Sequence, residues 1–284
     1  MNLQMRDISE AVINSMTEAE YVEWRKKANT KLVYHQNRYW EELRSGFYQP
    51  VHLLARLSER QATRPKLSCW GFRSALARND LAAANGSIPV HLLTNISDYN
   101  LQSLPSKRRN HVRRCRKRAK IMELTDSTIL KKYGYEVVVS ALKRAKYKNP
   151  PQKDKYIESL TNYVSPCRRL ILAGIVEDKL GGYMECHAID GTAYIQNVYI
   201  ASEALPSNIG TGLVFDFVQI CIRSGGINEI VYGQHSREDE RLCIFKQGMG
   251  FPAVHVPAKV QINSIIGKFI QWRSPHSYYR LTGH

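Results

Sequence analysis

No run in this chain approaches eighteen continuous apolar residues, so no segment is expected to cross a bilayer as a helix. The opening MNLQMRDISEAV has no apolar stretch of signal-peptide length. Cysteines are few and scattered. Cys69, Cys115, Cys167, Cys186, Cys221 and Cys243 never fall within four residues of one another, and none forms a ladder with histidines. That spacing argues against a disulfide framework and against a structural zinc cluster. The expectation is reduced thiols in the cytoplasm, with no metal. No cysteine–histidine arrangement of protease type and no serine nucleophile elbow occurs, so Cys186 and Cys243 read as buried thiols. No long flexible linker and no internal repeat is visible.

Acidic residues are missing from one place above all. Residues 107–120 contain nine basic and no acidic side chains, within a chain of 41 basic and 25 acidic residues and a net charge of +16. The excess is therefore local. Residues 1–100 carry 13 basic and 10 acidic residues, and 121–284 carry 19 and 15, so these stretches add only +3 and +4. Within LPSKRRNHVRRCRKRAKIMEL, Val112, Cys115, Ala119 and Met122 recur at spacings of three and four. This predicts a helix, capped at Ser106, with one narrow apolar stripe and basic residues on its other faces. A solvated charged face would normally mix signs to limit repulsion. An anionic partner at Lys107 to Lys120 is expected instead: the phosphates of RNA or DNA, a phospholipid surface, or the phosphates of a cofactor.

The length of 284 residues and a hydrophobic fraction of 43% suit one large domain or two small ones with a real core. Residues 17–45 read as helical, as do Arg73 to Ala84, a stretch within STILKKYGYEVVVSALKRAKYKN, and Lys155 to Tyr163. From Arg169 the period becomes extended. RLILAGIV, LGGYMECHA and TAYIQNVYI read as three strands joined by tight turns at Glu177-Asp178-Lys179 and Asp190-Gly191. A helix opens at Asn208 to Gly212; EIVYG is a fourth strand, REDERLCIFKQGMG a short helix, and AVHVPAKVQI a last strand, placed at an edge by Pro257. The division expected is a mostly helical region over 1–168, which is a second domain or a degenerate half of the same fold, and an α/β (α+β) domain with a mixed central sheet over 169–284.

NIGTGLVFDFVQICIRSGG poses the main choice. Its two glycines either let a helix N-terminus cradle phosphates or simply form a strand-to-helix turn. A dinucleotide site would need an acidic residue at the end of the following strand, which here ends in Tyr232-Gly233-Gln234; a triphosphate loop would need a lysine after the glycines. Neither is present.

Over roughly Arg169 to Ile262 the chain resembles the GCN5-related N-acetyltransferase superfamily. The motif Gln/Arg-x-x-Gly-x-Gly/Ala of that family is matched by Ser207-Asn208-Ile209-Gly210-Thr211-Gly212, with Ser207 departing from the pattern. CIFKQGMGF and the basic helix resemble the Fem-like branch in particular. The resemblance implies an N-acyltransferase that moves an acyl group from acetyl-CoA or a longer acyl-CoA to a primary amine. It implies donor contacts at Asn197, Val198, Tyr199 and Ile200, and at Asn208, Ile209, Gly210, Thr211, Gly212 and Leu213. For proton transfer the candidates are Glu185, sharing a strand face with Tyr183 and His187, His235 beyond the fourth strand, and Tyr232 as the acid for the leaving thiolate. CWGFRSALARND suits an acceptor site and a core equally well. Two alternatives remain: a Fem-like transferase using aminoacyl-tRNA, for which neither a coiled-coil arm nor a duplication is visible, and a non-enzymatic basic nucleic-acid-binding protein on a degenerate transferase scaffold.

Overall fold

The computed structural model describes residues 5–27, 30–145, 149–160 and 169–284. In chain order the elements are β1 (Met5–Asp7), β2 (Ser15–Met16), α1 (Glu18–Lys27), β3 (Leu32–His35), β4 (Arg38–Arg44), β5 (Phe47–Pro50), β6 (Gly71–Ala75) and β7 (Gly86–Leu93). There follow α2 (Ser106–Arg118), β8 (Lys120–Leu124), α3 (Tyr135–Ala145), α4 (Lys153–Ser159), β9 (Leu170–Val176), β10 (Lys179–Ile189) and β11 (Thr192–Ile200). The chain ends with α5 (Ile209–Ser224), β12 (Glu229–Gln234), α6 (Glu240–Gly248), β13 (Ala253–Ile262), α7 (Ser264–Arg273) and α8 (Pro275–Thr282). Among the described residues no helix is long and apolar enough to cross a membrane.

Two compact units interleave along the chain. One gathers Met1–Ser15, Leu93–Tyr232 and Gly248–Phe251; the other gathers Met16–Leu92, Gly233–Gln247 and Pro252–His284. A single boundary at 168 is thus replaced by several crossings. The region 1–168 is not mostly helical either, since it carries β1 to β8 beside α1 to α4.

In the first unit the strands run in the order β1-β8-β9-β10-β11-β12. All neighbours are antiparallel except β11 and β12. The turns at Glu177-Asp178 and Asp190-Gly191 have positive φ throughout, as tight hairpins require. After β11 the chain crosses over through α5, which is buried on most of its faces, and returns as β12. The expected mixed sheet is therefore present. Basic helix α2 also forms, with Val112 and Cys115 buried. Its N-cap is Pro105, not Ser106, and no side chain caps it. The helix expected at Lys155 to Tyr163 is α4; its last residues fall outside the described set.

In the second unit the order is β7-β13-β6-β5-β4-β3, parallel only between β5 and β6. Trp40, Leu57, Phe72 and Leu76 centre its core, with Trp40 edge-on to Phe72 at 5.8 Å. Two sequence expectations change here. The helix expected over 17–45 is only α1 (Glu18–Lys27); further on, Gln36 and Asn37 take φ of 51° and 58° and turn β3 back on β4. The stretch 73–84 completes β6 and then makes only a short 3-10 turn. Strand β13 is interior: Pro257 lies opposite Ser87 of β7, and its carbonyl accepts the amide of Leu76 at 3.0 Å. Only the rung needing an N–H is lost.

Packing of α2 on α5 rests on Gly212. A Cβ there would meet Sγ of Cys115 closer than real Cβ contacts occur. Replacing Gly212 with Val should destabilise the protein by about 1–3 kcal/mol through overpacking. Adding Cys115→Ala should restore part of the loss, which denaturant unfolding of the two single variants and the double variant would measure.

Asp216 lies at the same contact, 3.9 Å from Arg116. Burial pushes its carboxyl up to about 6, against the opposing pull of Arg116 and Arg223. The folded state therefore holds this proton more tightly than the unfolded chain, and stability falls as pH rises from about 4 to about 6. Asp216→Asn removes the penalty. It should raise stability at pH 7.5 by about 1–3 kcal/mol and make little difference at pH 4, as melting curves at the two pH values would show.

Candidate active site

The alternation of β10 places Tyr183, Glu185 and His187 on one face of the first unit's sheet. All three are buried. Cys186 points the other way, under α5, where it feels Cys221. Antiparallel β11 follows β10 in simple register from Thr192 opposite Ile189 to Ile195 opposite Cys186. Gln196 is then passed over, and Asn197 lies opposite Glu185, Val198 opposite Met184, Tyr199 opposite Tyr183 and Ile200 opposite Gly182. This bulge brings Asn197 and Tyr199 to the Glu185 face.

Glu185 is 6% exposed. Nδ2 of Asn197 donates to its Oε2 at 3.0 Å, and Nη1 of Arg169 lies 3.7 Å from the same oxygen. Arg169 also donates to Oε1 of Gln196 at 3.2 Å. Beside them is a cavity of about 350 Å³, roofed by α3 and α4 and lined by Val138, Leu160, Tyr156, Tyr183, Tyr199 and Lys155 among others. The hydroxyls of Tyr156 and Tyr183 are 3.4 Å apart, and the rings of Tyr183 and Tyr199 are tilted at 5.3 Å. Burial pushes the phenols of Tyr156 and Tyr199 up to about 12, with Glu185 adding to the rise at Tyr199. Both are neutral hydroxyl donors at physiological pH.

The parallel ladder between β11 and β12 is short. It pairs Thr192–Tyr194 with Glu229–Val231, while β11 continues to Ile200. Asn197, Val198, Tyr199 and Ile200 thus lie beyond the paired stretch. After them Asn208 adopts φ 62° and starts α5. The amides of Thr211 and Gly212 return to the Asn208 carbonyl at 3.0 and 3.2 Å. The amides of Ile209 and Gly210 open the first turn, without a carbonyl four residues back inside the helix. Ser207 is buried and donates to the Ala204 carbonyl at 2.6 Å. Among the described residues a Cβ on Gly210 would meet Ile200, at 3.7 Å. Leu213 is fully buried. Arg118, near the end of α2, donates to the Pro206 carbonyl at 3.2 Å, so basic side chains stand beside this helix start.

The other candidates lie elsewhere. Tyr232 is buried, edge-on to Phe251 at 5.4 Å. Burial drives its phenol well up, with Cys186, on the face opposite Glu185, as the next influence. His187 stacks on Tyr194 at 5.1 Å. His235 belongs to the second unit, where Nδ1 is 2.6 Å from the Tyr279 hydroxyl. Arg169, Tyr156 and Lys155 were not singled out by sequence. The only signal was an Arg168-Arg169 pair at the head of an apolar strand.

No protein-family model matches the chain, and no curated protein matches it in sequence. Solved structures do resemble it. The C-terminal domain of an Agrobacterium fabrum protein named for lysylphosphatidylglycerol synthesis superposes with a TM-score of 0.62 at 10% identity, over 94% of this chain and 93% of that one. FemX gives 0.61 at 8% identity over 93% and 96%, and L-PGS from Bacillus licheniformis gives 0.54 at 12% over 95% and 94%. The chain shares the fold of these structures, a GCN5-related N-acetyltransferase-like mixed α+β fold.

The buried ion pair makes a prediction independent of activity. Arg169→Ala leaves the Glu185 carboxylate without its counter-charge and should destabilise the protein by about 3–5 kcal/mol. Adding Glu185→Leu should recover much of that, as measured by chemical denaturation of all three variants.

Proposed function

We propose that the protein is an N-acyltransferase whose acceptor amine enters the cavity over β10 and β11 and whose donor approaches where β11 runs free of β12. The observation that carries this reading is Glu185, a buried carboxylate held by Asn197 and Arg169 at the wall of that cavity. Burying a carboxylate is costly unless it is paired, and here it is kept at the wall of the cavity where a base is needed.

In this scheme the amine nitrogen attacks the acyl carbonyl carbon, a C–N bond forms, and the bond to the donor's sulfur or oxygen breaks. Glu185 takes the proton that the nitrogen sheds. Tyr156 and Tyr199 face the same cavity as neutral hydroxyls suited to a developing oxyanion. The leaving thiolate or alkoxide takes up that proton from Glu185, directly or through water, which restores the carboxylate, and no covalent enzyme intermediate is needed. The helix start at Ile209 and Gly210 offers two amides and the positive end of α5 to donor phosphates. Arg118 supplies a side-chain charge where the family motif has its Gln or Arg and this chain has Ser207.

Acetyl-CoA or a longer acyl-CoA is the first reading of the donor. Aminoacyl-tRNA is the second, favoured by α2: Arg113, Arg114, Arg116, Lys117 and Arg118 are all exposed, more charge than one nucleotide cofactor requires.

The test is transfer of radiolabelled acetyl from acetyl-CoA, and of a radiolabelled amino acid from aminoacyl-tRNA, to a panel of amines. Glu185→Gln should lower kcat by about 10²–10⁴ with donor Kd unchanged. Full activity in that variant, or no transfer from either donor by folded protein, would sink the proposal.

A further inference from the structure

His235 and Cys243, one read from sequence as a possible base and the other as an inert thiol, come together in the second unit with a third residue. His91 is in β7, His235 follows β12, and Cys243 is in α6. One ligand atom from each lies within 4.8 Å of the other two. The grouping is built into the backbone. The amide of His235 donates to the carbonyl of Pro89, two residues before His91, at 3.0 Å. The thiol of Cys243 reaches the carbonyl of Ser236, next to His235, at 3.3 Å.

We propose that His91, His235 and Cys243 form a zinc site, with water in the fourth position. Two imidazoles and a thiolate are ligands that zinc takes readily in tetrahedral geometry. Bonds of about 2.0–2.3 Å separate tetrahedral ligands by about 3.3–3.8 Å, so closing the trio on an ion needs side-chain shifts of about 1 Å. His91 and Cys243 are buried and His235 is half-buried, which leaves an approach from solvent along the His235 side. The outer partners fit as well. Nδ1 of His235 lies 2.6 Å from the Tyr279 hydroxyl, which is 3.3 Å from Nε2 of His255, whose Nδ1 is 2.9 Å from Oγ of Ser87. A partner on Nδ1 fixes the imidazole tautomer and leaves Nε2 for an ion.

Charge around the trio is mixed. Lys246 donates to the Gln234 carbonyl at 3.5 Å, and Arg237 lies over the Tyr279 ring at 3.6 Å. Both oppose a dication. Burial pulls the Lys246 amine down to about 8, against the opposing influence of Cys243 and Asp239. The Cys243 thiolate opposes the remaining charge directly. Binding releases the thiol proton to solvent, and no electron changes hands. The three ligands are 144 and 8 residues apart in the chain (235 − 91 and 243 − 235), which is why spacing motifs do not reveal them.

The test uses the full chain, freed of metal by chelator and titrated with Co²⁺ as a spectroscopic probe and with Zn²⁺ in competition. Expected are one equivalent bound, a near-ultraviolet thiolate-to-cobalt band with visible bands of four-coordinate cobalt, and a melting temperature that rises until one equivalent of Zn²⁺ is added. Cys243→Ser should abolish the thiolate band. Tyr279→Phe, which keeps the ring and removes only the outer partner, should weaken Co²⁺ affinity about tenfold. The proposal is overturned if folded wild-type protein binds no stoichiometric metal. It is equally overturned if the thiolate band persists at full strength in Cys243→Ser, which would assign it to another cysteine.

Discussion

The candidate site hangs on one extra residue in β11. Without the bulge at Gln196, antiparallel register would carry Asn197 opposite Met184 and Val198 opposite Tyr183. Asn197 and Tyr199 would then face α5, and the apolar Val198 and Ile200 would face Glu185. The insertion exchanges these sets. It gives the buried carboxylate its amide donor and gives Tyr183 its aromatic neighbour. It also leaves the side chain of Gln196 on the cavity side, where it accepts from Arg169. A bulge bends its strand and increases the local twist. Here the pairing between β11 and β12 ends at Tyr194, two residues before the bulge, so the same distortion accompanies the opening of the sheet. A carboxylate buried without such partners would carry a desolvation penalty of several kcal/mol.

A second constraint fixes where the positive charge goes. The near contact of Gly212 with Cys115 ties basic helix α2 to α5, and Arg118 then falls beside the turn that starts α5. Like charges crowded on one helix repel, and the acid that α2 meets on α5, Asp216, is itself costly to ionise, since burial pushes its carboxyl up to about 6. The fold does little to neutralise this helix from within. Under the proposed function, a donor's phosphates along it would offset that cost, with the exposed side chains and the α5 dipole acting in the same direction.

Much of the first unit was legible from sequence because it is built of local signals. The two tight turns, the alternation in 169–200 and the apolar periodicity of α5 and α2 need no distant partner. The second unit was not legible in the same way. Residues 17–45 keep a helical look while Gln36 and Asn37 reverse the chain, and nothing short of the pairing of β3 with β4 reveals it. Pro257 suggested an edge because a lost donor is easiest to tolerate there, yet antiparallel geometry accommodates it between two strands. Glu185 could be named from its strand face. Arg169, its counter-charge, could not, since the pair is set by register between β9 and β10 and by nothing in the local sequence. His91 is a further case, a buried polar residue in a strand whose partners come from a loop and a helix far along the chain.

The glycine pair shows how a motif divides once packing is known. Gly210 and Gly212 look equivalent in sequence, two small residues at a helix start. Gly212 is explained by its neighbour: any side chain would strike Cys115, so glycine is needed whether or not an anion binds. Gly210 has no such reason. Its missing Cβ would sit in ordinary contact with Ile200, so packing would accept alanine there. Under the proposed function, a glycine there lets the donor's phosphates approach the backbone closely. Of the pair, Gly210 is therefore the one whose substitution tests the proposed donor site without disturbing the packing of α2 on α5.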